Sequence, residues 1–247
     1  SGTHGDELEG QYVCYALQQR IQAAPEHLTG IVDIYPALNP LGIDTISRGI
    51  PMFDLDMNRI FPGTSNGPAA EYLASELMKD LHGASCAVDL DASIIFLGEV
   101  RQVRLNDKNA DRLLPFARLL NTDFIWVHAN ATVLESTLAY SLNAAGVPTL
   151  VVEMGIGLRL TPSYGGQLTD GLLALMARLG IWSGEIPEIR VPAESSDGEV
   201  VLLSAEVPGM FLPAVPHGVQ VQRGQLIGEI VDVLRGQPVQ QITAPAD

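Results

Sequence analysis

The run TLVVEMG at residues 149–155 constrains the fold most, because it carries no charged residue until Glu153. A strand of that kind is covered on both faces and belongs in the middle of a sheet with helices above and below it. The segments around it fit such a sheet. Residues 6–23 place apolar residues at helical spacing and acidic residues in the first turn, where the helix dipole favours them. IVDIYPALNP reads as a strand running into a turn, AAEYLASELMKDL as a helix, and CAVDLDASIIFL as a stretch containing a buried strand. DRLLPFARLL is a short helix with Pro115 in its pattern, DFIWVHA a strand, and ESTLAYSLNAAG and TDGLLALMARLG helices stopped by glycine. Strands alternating with helices define an α/β domain with a mostly parallel sheet. Functional residues in such a sheet sit just beyond the carboxyl ends of the strands.

The pattern changes around residues 187–198, after which Pro and Gly separate short β-rich runs such as EVVLLSAEV, HGVQVQRGQLIGEIVDV and VQQIT. The expected division is an α/β domain over residues 1–188 and a small all-β module over 189–247. The module's composition suggests a barrel-sandwich of the lipoyl or biotinyl kind. Those modules carry their cofactor on lysine, and no lysine follows Lys108, so a swinging-arm role is excluded. The chain opens directly on SGTHGDE and stops at TAPAD, so both native ends are expected to lie further out.

With 29 acidic and 14 basic residues the formal charge is −15, which argues against nucleic acid as a partner. No apolar run approaches the ~18–20 residues of a membrane span. Cys14 and Cys86 both lie in apolar surroundings and read as free thiols, which points to a cytoplasmic location.

Four segments carry candidate chemistry. His4 and Glu7, three residues apart at a helix start, can converge on one metal ion, since imidazole and carboxylate both suit Zn²⁺. The bland alternative is an exposed helix start in which Asp6 and Glu7 complement the dipole. Asn58 and Arg59 offer amide and guanidinium donors side by side, with Arg48 ten residues before Asn58, and a guanidinium grips a carboxylate with two parallel bonds. Alternatively Arg59 forms an ordinary ion pair with Asp54 or Asp56. Asp89 and Asp91, at i and i+2 on a strand, share a face, where Asp91 could ligate a metal with Asp89 behind it, or both could serve a strand-end turn. Glu153, at the exit of an apolar strand, starts in surroundings that raise its pKa toward that of a general base. His128, after the strand DFIWV, either lines the pocket or is a satisfied core histidine. Arg104, Arg159 and Tyr164 are further candidates for substrate contact, with solvated or structural roles as the alternative for each.

Taken in order, GTHGDE, ALNPLGIDTISRGIPMFDLDMNRIFPG, VDLDASIIFLGEVRQVRLND and VPTLVVEMGIGLRL resemble the succinylglutamate desuccinylase/aspartoacylase family, deacylases related to the zinc carboxypeptidases. The resemblance spans nearly the whole chain. It implies a three-layer α/β/α sandwich of zinc-carboxypeptidase type followed by the small C-terminal all-β, barrel-sandwich-like module. It implies that His4 and Glu7 are zinc ligands, Glu153 the general base, Arg48 the oxyanion-stabilising arginine, and Asn58 and Arg59 the substrate-carboxylate pair. Arg159 and His128 are expected as further substrate contacts from their own sequence contexts, not from the resemblance. The implied cofactor is one Zn²⁺, and the implied partner a small carboxylate-bearing amide, with a homo-oligomer compatible with the fold.

One position departs from the family. Its third ligand is ordinarily the His of a D-L-H segment, and here that position is Asp91. A His/Glu/Asp set carries one more negative charge, weakens the ion as a Lewis acid, and shifts preference toward harder divalent metals. Two alternatives to a working deacylase follow: a metal- or ligand-binding homologue with weakened or lost catalysis, and a carboxypeptidase acting on peptides. His82, in the other D-L-H at residues 80–82, precedes the buried strand and reads as a helix-end histidine.

Overall fold

A computed structural model describes residues 1–128 and 134–247. Ala129, the last residue of the expected strand DFIWVHA, lies outside the described residues. The chain divides into two compact units, Ser1–Gly198 and Glu199–Asp247.

The first unit is built on strands β1 (Ala87–Ala92), β2 (Glu99–Asn106), β3 (Phe124–His128), β4 (Thr149–Gly155) and β5 (Ala193–Ser196). Their order in the sheet is β1-β4-β2-β3-β5. The apolar strand β4 therefore sits inside the sheet, as its composition requires. Its pairing with β1 is parallel and with β2 antiparallel, while β2–β3 and β3–β5 are parallel.

Register separates the two faces of this sheet. Leu90 lies opposite Val152 and Val103 opposite Val152 on one face, while Asp91 and Gln102 both lie opposite Glu153 on the other. The helices of the unit are α1 (Glu9–Ala23), α2 (Pro40–Thr45), α3 (Ala69–Asp80), α4 (Asp107–Ala117), α5 (Leu138–Ala144) and α6 (Pro162–Arg178). The apolar face joins Leu90, Val103, Leu105, Ile125, Leu150 and Val152 to the inner sides of α1, α4 and α6 in one core. A smaller core joins Leu77 of α3 and Leu138 and Leu142 of α5 to Met57 and Phe61. The result is an α/β/α sandwich.

Two glycines set how closely these layers approach. A side chain at Gly10 would place its Cβ 2.5 Å from the Leu90 carbonyl, so glycine lets α1 rest on β1. A side chain at Gly5 would place Cβ 2.0 Å from the Gly42 carbonyl, so the loop holding His4 can lie against α2 only without one.

The structure corrects several expectations. IVDIYP forms no strand. Its chain is extended, and the nearest pairing is an isolated bridge between Leu28 and Trp182. Val32 and Ile34 line a cavity of about 670 Å³ together with Val88 and Leu90 of β1. The segment's side chains still pack on the core, while its backbone has no ladder to join. Strand β2 was not among the expected elements, although Gln102 and Arg104 alternate with Val103 and Leu105 as a half-buried strand requires. The first unit runs to Gly198 rather than residue 188, because β5 adds to the edge of β3.

The second unit is a three-stranded antiparallel sheet of β6 (Met210–Pro213), β7 (Leu226–Asp232) and β8 (Gln237–Thr243). EVVLLSAEV and residues 217–224, expected among its β runs, form no strand: their side chains are almost all exposed, so apolar content there does not reflect burial. Cys14 and Cys86 are both free. No helix among the described residues is long and apolar enough to cross a membrane.

Candidate active site

The polar face of the sheet and the loops at the carboxyl ends of β1 and β4 enclose a cavity of about 260 Å³. His4, Glu7, Arg48, Asn58, Arg59, Asp89, Asp91 and Glu153 all line it, and so do Glu99, Arg104 and Thr137. The structure thus brings together most of the residues singled out in the sequence. Three are not among the lining residues. The Tyr164 ring instead carries the Arg101 guanidinium 4.2 Å above it. Arg159 is exposed. His128 is buried at the end of β3, stacked on Trp126 at 4.8 Å.

His4 is buried and both of its ring nitrogens meet carboxylates. Nδ1 lies 2.7 Å from Glu7 Oε1 and Nε2 lies 2.9 Å from Asp56 Oδ1. Burial alone would lower its pKa, but the hydrogen bonds to Asp56 and Glu7 outweigh it and push the value up to about 10. Asp56 is also buried in part, which works against its charge, yet its bond with His4 holds its pKa down at about 2. Glu7 is held at three points. Its Oε1 also accepts from Arg48 Nη1 at 3.0 Å, and its Oε2 accepts from the Ala92 backbone N–H at 3.0 Å, which ties the start of α1 to the end of β1.

Asp91 completes the cluster. Ligand atoms of His4, Glu7 and Asp91 all lie within 4.8 Å of one another, and all three residues are buried. Oδ1 of Asp91 and Oδ1 of Asp89 are buried with no hydrogen-bond partner among the described residues. Burial, compounded by the charge of Glu7, raises the pKa of both aspartates, and the charge of Asp89 pushes Asp91 up further. Buried carboxylates without partners are costly, so their convergence on one imidazole fits a cation. One nitrogen and two carboxylate oxygens suit Zn²⁺ or a harder divalent ion.

Asp56 is the contributor that sequence reasoning missed. It was offered, with Asp54, only as the alternative ion-pair partner of Arg59, but Arg59 instead donates to the Asn58 carbonyl at 2.8 Å, and Asp56 faces His4 and Arg48. Its Oδ1 also accepts from the Asn58 N–H at 2.9 Å, capping the short turn Met57–Arg59. One carboxylate therefore fixes the His4 ring and shapes the loop presenting Asn58 and Arg59. The Asn58 side-chain carbonyl accepts from the Leu138 N–H at 2.9 Å, so α5 fixes its rotamer.

On β2 and β4 a second cluster surrounds Glu153. Its Oε1 accepts from Arg104 Nη1 at 3.3 Å. Arg104 also pairs with Glu99, which accepts from Gln102 Nε2 at 2.9 Å. Burial raises the Glu153 pKa, Arg104 pulls it down, and the charges of Glu99, Glu7 and Asp89 push it up again, to about 8. The legible signal for this cluster was Gln102 and Arg104 alternating with Val103 and Leu105. Glu99 carried no such signal, because a register shift between Glu99 and Gln102 turns it onto their face.

The fold and the cavity together define the class. A family model of the succinylglutamate desuccinylase/aspartoacylase catalytic domain matches residues 1–179, and the chain belongs to that family. An N-alpha-acetyl-L-2,4-diaminobutyric acid deacetylase from Halomonas elongata is 26% identical over 250 residues, covering 95% of this chain and 70% of the relative. Among solved structures, a succinylglutamate desuccinylase from Silicibacter sp. TM1040 is similar with a TM-score of 0.80 at 23% identity, covering 100% of this chain and 76% of that one. The product-bound ectoine utilization protein EutE (DoeB) from Ruegeria pomeroyi is similar with a TM-score of 0.77 at 23% identity, covering 99% of this chain and 76% of that one. These two likenesses establish the fold.

Proposed function

We propose that this chain is a metal-dependent deacylase that hydrolyses the amide bond of a small N-acyl amino acid. The observation that carries the proposal is the buried convergence of His4, Glu7 and Asp91 on the same cavity wall as Glu153. His4 Nδ1, Glu7 and Asp91 would hold the ion, with His4 Nε2 donating to Asp56 to orient the ring. A divalent cation there supplies Lewis-acid chemistry, acidifying a water and polarising the scissile carbonyl.

The chain's own residues do the rest. Glu153 accepts a proton from the attacking water at its carboxylate and returns it to the departing amine, a role suited to a carboxylate titrating near neutrality. Arg48, at the cavity wall, donates to the carbonyl oxygen as negative charge develops on it. Arg59 and the Asn58 amide bind the substrate carboxylate and align the amide with Glu153. A cavity of about 260 Å³ is smaller than the ~300–1,000 Å³ typical of sites for drug-sized ligands, which favours a single acylated amino acid over a peptide.

The test is release of free amine from a panel of N-acetyl amino acids by the metal-loaded protein, before and after chelation. The proposal expects turnover that chelation abolishes and Zn²⁺ or Mn²⁺ restores. Metal-loaded protein that hydrolyses none of the panel, or turnover indifferent to chelation, would overturn it.

A further inference from the structure

The arginines of the cavity differ in how they are matched. Arg48 is bonded to Glu7, with Asp56 at 3.6 Å. Arg104 lies between Glu99 and Glu153. Arg59 has no carboxylate within ion-pair distance among the described residues, and its side chain donates to the Asn58 backbone carbonyl. One guanidinium at the cavity wall is therefore left for an anionic ligand group.

Glu99 produces this imbalance. In regular alternation it would point away from Gln102 and Arg104. The register moves from Glu99 opposite Gly155 to Gln102 opposite Glu153, a shift of one residue. That bulge brings Glu99 onto the side of Glu153, where it pairs with Arg104 and puts a second carboxylate beside that arginine. Bulges beside functional sites re-aim side chains in this way.

We propose that Glu99 is a specificity residue that restricts the site to substrates with a single carboxylate: N-acyl amino acids with an uncharged acyl group and a side chain that is not acidic. The inference rests on the deacylase reading for the reaction, and on geometry for the charge rule. A second carboxylate, on the acyl group or the side chain, would meet Glu99 and Glu153 with Arg104 already engaged. Rejection by an unpaired or like charge is an effective source of discrimination.

The experiment compares N-acetyl-L-alanine with N-acetyl-L-aspartate and N-succinyl-L-alanine. Both kcat/KM and calorimetric Kd are measured on metal-loaded wild type and on Glu99→Gln, with thermal melting as a folding control. Wild type is expected to favour the monocarboxylate at least about tenfold in both measures. Glu99→Gln removes one wall charge and leaves Arg104 with Glu153 as its single carboxylate partner, and is expected to narrow that ratio about tenfold, mainly through gain on the two dicarboxylates. Wild-type preference for a dicarboxylate overturns the inference whether or not the variant folds. So does a folded Glu99→Gln whose ratio is unchanged. If no probe is hydrolysed but the Kd ratio holds and collapses in the variant, the charge rule stands and the deacylase reading fails.

Discussion

The two faces of the central sheet are built on opposite principles. Val88, Leu90, Leu150, Val152 and Met154 on one side pack into one apolar core with residues of α1, α4 and α6. One residue along in each strand, Asp89, Asp91 and Glu153 face a cavity that Arg104 also lines, with Gln102 opposite Glu153 in the register. The first face gains free energy from every group it buries. The second buries carboxylates, two of them with oxygens that have no partner among the described residues. Stability resides on the first face and chemistry on the second, and substitutions on the two sides should separate these properties.

The largest effect is expected at Glu153. Glu153→Gln should lower kcat about 10²–10⁴-fold, the usual range for losing a general base. Metal content and melting temperature should not fall, because a buried carboxylate is replaced by a neutral amide. A parallel loss of metal would assign Glu153 to the ion instead. On the apolar face, Leu150 is fully buried, and Leu150→Ala should cost about 2–5 kcal/mol in denaturant unfolding. Its kcat per folded molecule should be unchanged. A fall in kcat as large as that of Glu153→Gln would break the separation of the faces.

Asp56→Asn should weaken metal affinity about 10–100-fold, the usual cost of losing a carboxylate that orients a ligating imidazole. Equal affinity in a direct competition with a fluorescent chelator would remove Asp56 from that role. The smallest effect is on the pH dependence of the metal-free chain. His4 titrates near 10 in the folded chain against 6.5 ordinarily, so its contribution is complete below 6.5 and is lost as pH rises through about 10. Asp56 titrates near 2 against 3.8, so its contribution is complete above 3.8 and is lost as pH falls through about 2. Melting of the metal-free chain should therefore weaken between pH 6.5 and 10, and His4→Ala should flatten that slope. Metal binding at pH 7 should release the His4 proton, seen as a buffer-dependent binding enthalpy.

Much of this division was legible beforehand. TLVVEMG marked the interior strand, and its single carboxylate marked the point where the strand enters the site. The i, i+2 spacing of Asp89 and Asp91 put both on one face, and the spacing of His4 and Glu7 brought them together, though in the turn just before α1 rather than in the helix itself. These signals are local, because side-chain direction follows directly from strand or helix period. What escaped depended on distant or irregular geometry. Asp56 reaches His4 across 52 positions of chain, and no spacing rule encodes that contact. Glu99 is turned by a bulge that depends on pairing with β4. Residues 31–36 have a strand's composition but no neighbour to pair with, and β5 joined the first unit through an edge position that its short polar sequence AESS did not announce.

Metal content per folded chain tests the central claim most directly. Mass spectrometry of the protein purified without chelator and then equilibrated with Zn²⁺ or Mn²⁺ should find about one ion per chain. Glu7→Ala and Asp91→Ala should each lose it while remaining folded. A wild-type chain that binds no ion, beside an Asp91→His variant that does, would contradict the account: the polar face would then be an inherited pocket rather than a working metal centre.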